Sequence, residues 1–114
     1  FNTGLFGVRP TLIASGSMVP RLDVGDVVIT REVLAENVEV NDIIRFRQEG
    51  AHILHRVVDI QKDGSKITFI TRGDANNTDD PPVLASALEG KVVLTVPKIG
   101  WVTIGIRQVI ARIL

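Results

Sequence analysis

Short runs of β-branched residues, each closed after a few positions by Gly, Asp, Asn or Pro, set the tightest limit on what this 114-residue chain can fold into. Residues 24–31 (VGDVVITR), 42–48 (DIIRFRQ), 52–61 (HILHRVVDIQ), 66–73 (KITFITRG) and 90–97 (GKVVLTVP) all follow this pattern. Val, Ile and Thr have restricted side-chain rotamers and pack well on a pleated, half-buried surface. The stops between the runs are turn residues: Asn41-Asp42, Glu49-Gly50, and an Asp63-Gly64 pair that marks a hairpin between the third and fourth runs. Strands so closely spaced predict a mostly β, coiled antiparallel sheet or partial barrel with little helix.

Two stretches break the rhythm. Residues 73–90 (GDANNTDDPPVLASALEG) pass from polar residues through two prolines into a segment that could make one short helical turn ending at Gly90. Residues 99–114 are apolar with Arg107 and Arg112. Two readings stay open there: a helix with a narrow basic stripe, suited to packing or to a membrane interface, or a last strand with a frayed end. There is no internal repeat and no low-complexity segment, and the length suits one domain over residues 1–114.

Composition removes several functional classes. Thirteen basic residues balance thirteen acidic ones, where a nucleic-acid binder would carry a clustered basic surplus. With no cysteine, disulfides, thiolate catalysis and thiolate-bound zinc are ruled out. No run of 18 apolar residues is present, so no ordinary spanning helix is expected within these residues. The first residue is Phe1, not Met, in the apolar FNTGLFGV, and such a start suggests that an upstream segment has been removed.

A nucleophile must therefore be a hydroxyl or a carboxylate. Of the serines, Ser65 lies in the expected hairpin turn and Ser86 in the short helical segment, both structural positions. Ser15 and Ser17 flank Gly16 at the end of an apolar run, where a sharp turn can present a hydroxyl and backbone N–H groups to an incoming carbonyl. A plain Ser/Gly turn explains the same residues. A proton acceptor narrows the choice, because a serine needs His or Lys beside it. His52 and His55 are three apart on an expected strand, so they point to opposite faces and cannot share a metal. The carboxylates available to orient an imidazole crowd into one loop, as Asp74, Asp79 and Asp80. Calcium is disfavoured there, since the spacing lacks an EF-hand loop and its terminal Glu.

Taken in order, these pieces resemble the type I signal peptidases, membrane-anchored serine proteases. Ser15-Gly16-Ser17-Met18-Val19-Pro20 is similar to their S-G-S-M-x-P box, and Gly25-Asp26-Val27-Val28 to the G-D-[IV]-[IV] that follows. ILHRVV resembles the second box, TRGDANNTDD the T-[KR]-G-D-x-N-x-x-D-D stretch, and VPKIGW the late P-x-[IV]-G, so the resemblance covers about residues 11–105. Where the common bacterial enzymes have a lysine base this chain has His55, as in the subtype of archaea, the endoplasmic reticulum and some Gram-positive spore formers. No lysine lies between residues 31 and 61, which also disfavours the self-cleaving repressors. Val19 departs from the glutamate frequent in the histidine subtype.

The resemblance implies that Ser17 is the nucleophile and His55 the general base, with Asp80 taken first as the orienting acid, Asp74 second, and Asp79 adjacent to both. It implies an oxyanion hole from the Ser17 N–H and the Ser15 hydroxyl, Met18 lining the pocket for the small residue before the cut, and Gly16 giving substrate its approach. No cofactor and no metal are expected. The expected substrates are signal peptides of secretory preproteins, bound as an extended strand at a sheet edge, with no nucleic acid involved. The domain would sit on the outer or lumenal side of a cell or endoplasmic reticulum membrane. Residues 1–10 would be a stub beyond an N-terminal anchor and an apolar edge of the domain would sit on the membrane, with both readings of residues 99–114 still open. Two other readings make different demands: another serine hydrolase of the same clan, or a β-rich binding module in which the Ser/Gly loop is only a turn.

Overall fold

A computed structural model of the chain describes residues 7–98. Among them, seven strands form one sheet in the order β1-β2-β7-β3-β4-β5-β6, and every neighbouring pair is antiparallel. The strands are β1 (Val8–Leu12), β2 (Val27–Arg31), β3 (Ile43–Gln48), β4 (Ala51–Asp63), β5 (Lys66–Arg72), β6 (Val83–Leu84) and β7 (Leu88–Val96). Among the described residues the sheet is open, with β1 and β6 at its edges.

The β-branched runs became β2, β3, β4, β5 and β7, and the turn residues between them act as their chemistry requires. Gln48 pairs with Ala51 across a two-residue loop in which Glu49 (φ 51°) and Gly50 (φ 80°) both have positive φ, as the turn that matches strand twist demands. Asp63 pairs with Lys66 around Gly64 (φ 63°) and Ser65, the expected hairpin. Three features differ from expectation. Val8–Leu12 form an edge strand against β2, so Val8, Arg9 and Pro10 of the expected stub are paired backbone. Val83–Leu84 pair with β5 before a single 3-10 turn at Ala85–Ala87, and Leu88-Glu89 already begin β7. The expected helical turn is thus confined to three residues. Residues 1–6 and the apolar tail 99–114 lie outside the described residues.

Strand β3 organises the core. Ile43 and Ile44 are both buried although neighbouring strand residues point to opposite faces. On one face Ile44 joins Phe46, Val57, Phe69, Val38 and Val83. On the other, Ile43 packs with Ile13, Met18, Leu22 and Val28, and so seats the loop that joins β1 to β2. The register then places His55 directly opposite Ile44, on the Phe46 face. A bulge between Val57 and Asp59 bends β4 just past this histidine and carries it on to β5.

Candidate active site

The Ser15–Met18 segment lies in the loop between β1 and β2, and the loop is tied at its base. The Ile13 N–H donates to the Asp26 carbonyl (2.8 Å) and the Gly25 N–H to the Ile13 carbonyl (2.9 Å). The Asp26 carboxylate, nearly buried, accepts from the Asp23 N–H and, through its other oxygen, from the Lys98 N–H, both at 2.9 Å. Two side chains anchor the loop below, since Met18 and Leu22 are 2% and 1% exposed. Met18 packs into the core beneath the loop, with Ile13, Leu22, Val28 and Ile43. Its sulfur accepts from the Asp74 N–H at 3.4 Å.

That contact is one of several that clasp the loop to residues 73–80. The Ala75 N–H donates to the Ser17 carbonyl (2.9 Å). Gly73 lies so close that a methyl group in its place would sit 2.6 Å from the Ser17 carbonyl oxygen and 3.0 Å from His55 Nε2. Only a residue without a Cβ fits there. Gly16 is different: a Cβ would meet nothing nearer than Val19 at 3.7 Å, so packing within the chain does not demand a glycine.

His55 stands between the two loops, 8% exposed, with the Phe46 ring edge-on at a centroid distance of 6.3 Å. Its Nε2 is 3.1 Å from Ser17 Oγ and its Nδ1 is 2.6 Å from Asp80 Oδ2. A carboxylate accepts, so Nδ1 carries the proton, and Nε2 is left as an acceptor for the Ser17 hydroxyl. Asp80 is held from two sides by Thr71, whose hydroxyl donates to Oδ2 (2.8 Å) and whose carbonyl accepts the Asp80 N–H (2.8 Å). Ser15 Oγ lies 3.2 Å from Ser17 Oγ.

The other acidic candidates have different partners. Both Asp74 oxygens accept from Arg56, from Nε and Nη2, each at 2.8 Å, while Arg56 Nη1 donates to the Asn41 carbonyl (2.9 Å). Hydrogen bonding to Arg56 holds the Asp74 carboxyl below the usual carboxylate range, opposed by partial burial, and the same bonds raise the Arg56 guanidinium. Asp79 lies on the surface, 3.5 Å from Arg72. His52, on the opposite face of β4, pairs with Glu89 at 2.8 Å, far from this arrangement.

Thr71, Gly73 and Arg56 are the partners that sequence reading passed over. Thr71 alternates with the fully buried Phe69 on β5, an inward position where a hydroxyl in place of a methyl signals a buried polar contact. Arg56 directly follows His55 but points to the other face, so its meeting with Asp74 carries no signal in sequence spacing.

An open β-sheet that sets a hydroxyl, an imidazole and a carboxylate in one hydrogen-bonded line has the layout of a serine hydrolase domain. No family model matches the chain. Signal peptidase I W of Bacillus subtilis (strain 168) is 33% identical over 78 residues, which cover 67% of this chain and 41% of that protein. The signal peptidase complex catalytic subunit SEC11C of Homo sapiens is 33% identical over 104 residues, 82% of this chain and 54% of its own length. The corresponding subunit sec11 of Neurospora crassa is 33% identical over 105 residues, covering 82% and 60%. The chain spans about half the length of the curated relatives it matches. It belongs to the type I signal peptidase family.

Proposed function

We propose that this chain is the catalytic domain of a serine endopeptidase that removes N-terminal signal peptides from secretory preproteins. The observation that carries the reading is the position of His55, within hydrogen-bond reach of Ser17 Oγ through Nε2 and of Asp80 through Nδ1. Ser17 Oγ attacks the scissile carbonyl carbon while His55 Nε2 takes its proton. The resulting imidazolium is stabilised by the Asp80 carboxylate. His55 then delivers the proton to the leaving amine, and water repeats the cycle on the acyl-enzyme.

The developing oxyanion is met by the Ser17 N–H and by the Ser15 hydroxyl, which turns from Ser17 Oγ toward it; each such donor contributes on the order of 3 kcal/mol. Of the two acids expected to matter, Asp80 orients the base and Asp74 holds the loop through Arg56. Substrate lies as an extended strand along β1, an edge strand among the described residues, whose last residue Leu12 is exposed and stands three positions before Ser15. Main-chain pairing there accepts many sequences, and close approach over Gly16 favours small residues beside the cut. Met18, buried beneath the loop, would close the floor of the pocket for the small residue before the cut.

The working surroundings are a membrane surface, on its outer or lumenal side. Exposed Leu12, Val19 and Val24, spread along the Ser17 loop, fit an apolar neighbour there. The subunit names of the mammalian and fungal relatives support assembly with partner subunits. The test is cleavage of a signal-peptide-bearing preprotein by the full-length protein. Ser17→Ala and His55→Ala are expected to abolish turnover while His52→Ala retains it. Full activity in Ser17→Ala would sink the reading.

A further inference from the structure

We infer that Thr71 is a positioning residue for this reaction, fixing the Asp80 carboxylate in the orientation that holds His55; the inference rests on His55 acting as the base. Thr71 Oγ1 and His55 Nδ1 both reach Asp80 Oδ2, at 2.8 and 2.6 Å. The Thr71 carbonyl also accepts the Asp80 N–H at 2.8 Å, so one residue of β5 grips both the main chain and the side chain of the acid.

Packing does not ask for a hydroxyl here. Thr71 is 0% exposed, paired across the sheet with Val57, and shares its face with Phe69. Valine has the same shape, prefers strands as strongly, and brings no polar atom that needs a partner when buried. Among the described residues, this hydroxyl donates to the Asp80 carboxylate and to no other group. An aspartate carboxylate rotates broadly about its last side-chain bond, so a single contact to a ring nitrogen leaves its plane loosely set. A second donor on the same oxygen sets it. The carboxylate then faces the imidazole before, during and after proton transfer, and no reorientation is needed when the ring becomes charged. Nε2 consequently stays aimed at Ser17 Oγ, 3.1 Å away.

The experiment compares Thr71→Val and Thr71→Ser in the full-length protein, with Ser17→Ala and His55→Ala alongside, on a signal-peptide-bearing preprotein in detergent. Thr71→Val is expected to lower kcat by about 10- to 100-fold, the range for a lost hydrogen bond to a charged group, with KM changed by less than about twofold. Thr71→Ser, which keeps the hydroxyl, is expected to restore kcat to within a few-fold. A spectroscopic arm needs no turnover: with 15N-histidine labelling in the Ser17→Ala background, the downfield His55 Nδ1–H resonance should weaken or move upfield in Thr71→Val and persist in Thr71→Ser. Wild-type kcat in Thr71→Val, an equal loss in Thr71→Ser, or an unchanged resonance would overturn the proposal. If Thr71→Val does not fold, Thr71→Ala, which adds no bulk, is read by the same criteria. Undiminished turnover in Ser17→Ala or His55→Ala would instead refute the catalytic reading, and the resonance would still decide whether Thr71 orients the Asp80–His55 pair.

Discussion

Arg56 grips Asp74 through two parallel hydrogen bonds of 2.8 Å, and in doing so pins the loop that also carries Asp80. The pair lies one residue past His55 on β4 and one past Gly73, so the strand bearing the imidazole and the loop bearing its acid are clamped at a common point. Two-point geometry of this kind depends on the planar guanidinium fork and is not reproduced by lysine.

The two aspartates are therefore expected to fail differently. Asp80→Asn should lower kcat by about 10³- to 10⁴-fold with little change in thermal stability, because the imidazole loses the acceptor that sets its tautomer. Asp74→Asn should act mainly on stability and produce a smaller loss of rate. Steady-state kinetics and thermal melts on the same preparations separate them. An equal collapse of kcat in both, with both folded, would contradict the division of roles.

Acid should reveal the Asp74 contribution. Its folded-state carboxyl is lowered by the Arg56 hydrogen bonds, so the stabilisation is fully present above the ordinary carboxylate value of 3.8 and is lost as pH falls below it through the lowered folded value. The gap in melting temperature between the wild type and Asp74→Asn should stay constant from pH 7 to pH 5 and narrow below about pH 4. A gap that widens in acid would refute the sign.

At Gly73, alanine should cost about 100-fold in kcat/KM while the fold survives. Its methyl group would meet the Ser17 carbonyl oxygen, which is main chain and already tied to the Ala75 N–H, so Ser17 itself must move. Gly16→Ala meets no such obstacle and should shift stability by less than about 1 kcal/mol, yet still lower activity where substrate passes over it. Denaturant melts and kinetics on both variants test the contrast.

Phe46 links the core to the site. It is 0% exposed in the central cluster, and its ring meets the imidazole of His55 edge-on. Phe46→Ala should destabilise by about 3 to 5 kcal/mol through the cavity it leaves, and Phe46→Leu by much less. Denaturant unfolding gives both numbers.

Much of this domain is legible in its residues. β-branched runs dictate extended backbone locally, and Glu49-Gly50 and Gly64 turn the chain where positive φ is affordable, so five strands and two hairpins need no tertiary information. Edge strands β1 and β6 are another matter. Val8–Leu12 contains a proline and Val83–Leu84 has two residues, and each becomes a strand only because a neighbour supplies hydrogen-bond partners.

The site divides in the same way. Its chemical inventory, namely two serines around a glycine, a histidine without a competing lysine, and three aspartates in one loop, is a property of the sequence. Which aspartate meets the histidine is not. Asp74, Asp79 and Asp80 lie within seven positions, and their separate fates follow from Arg56 on β4 and from Thr71 and Arg72, successive residues of β5 that point to opposite faces. How deeply Met18 sits is likewise a tertiary matter: the Ile43 face of β3 draws it inward, since burying an apolar side chain stabilises more than exposing it. Residue types are written along the chain. Their distances were decided by sheet register and by the hydrogen bonds that clasp two loops together.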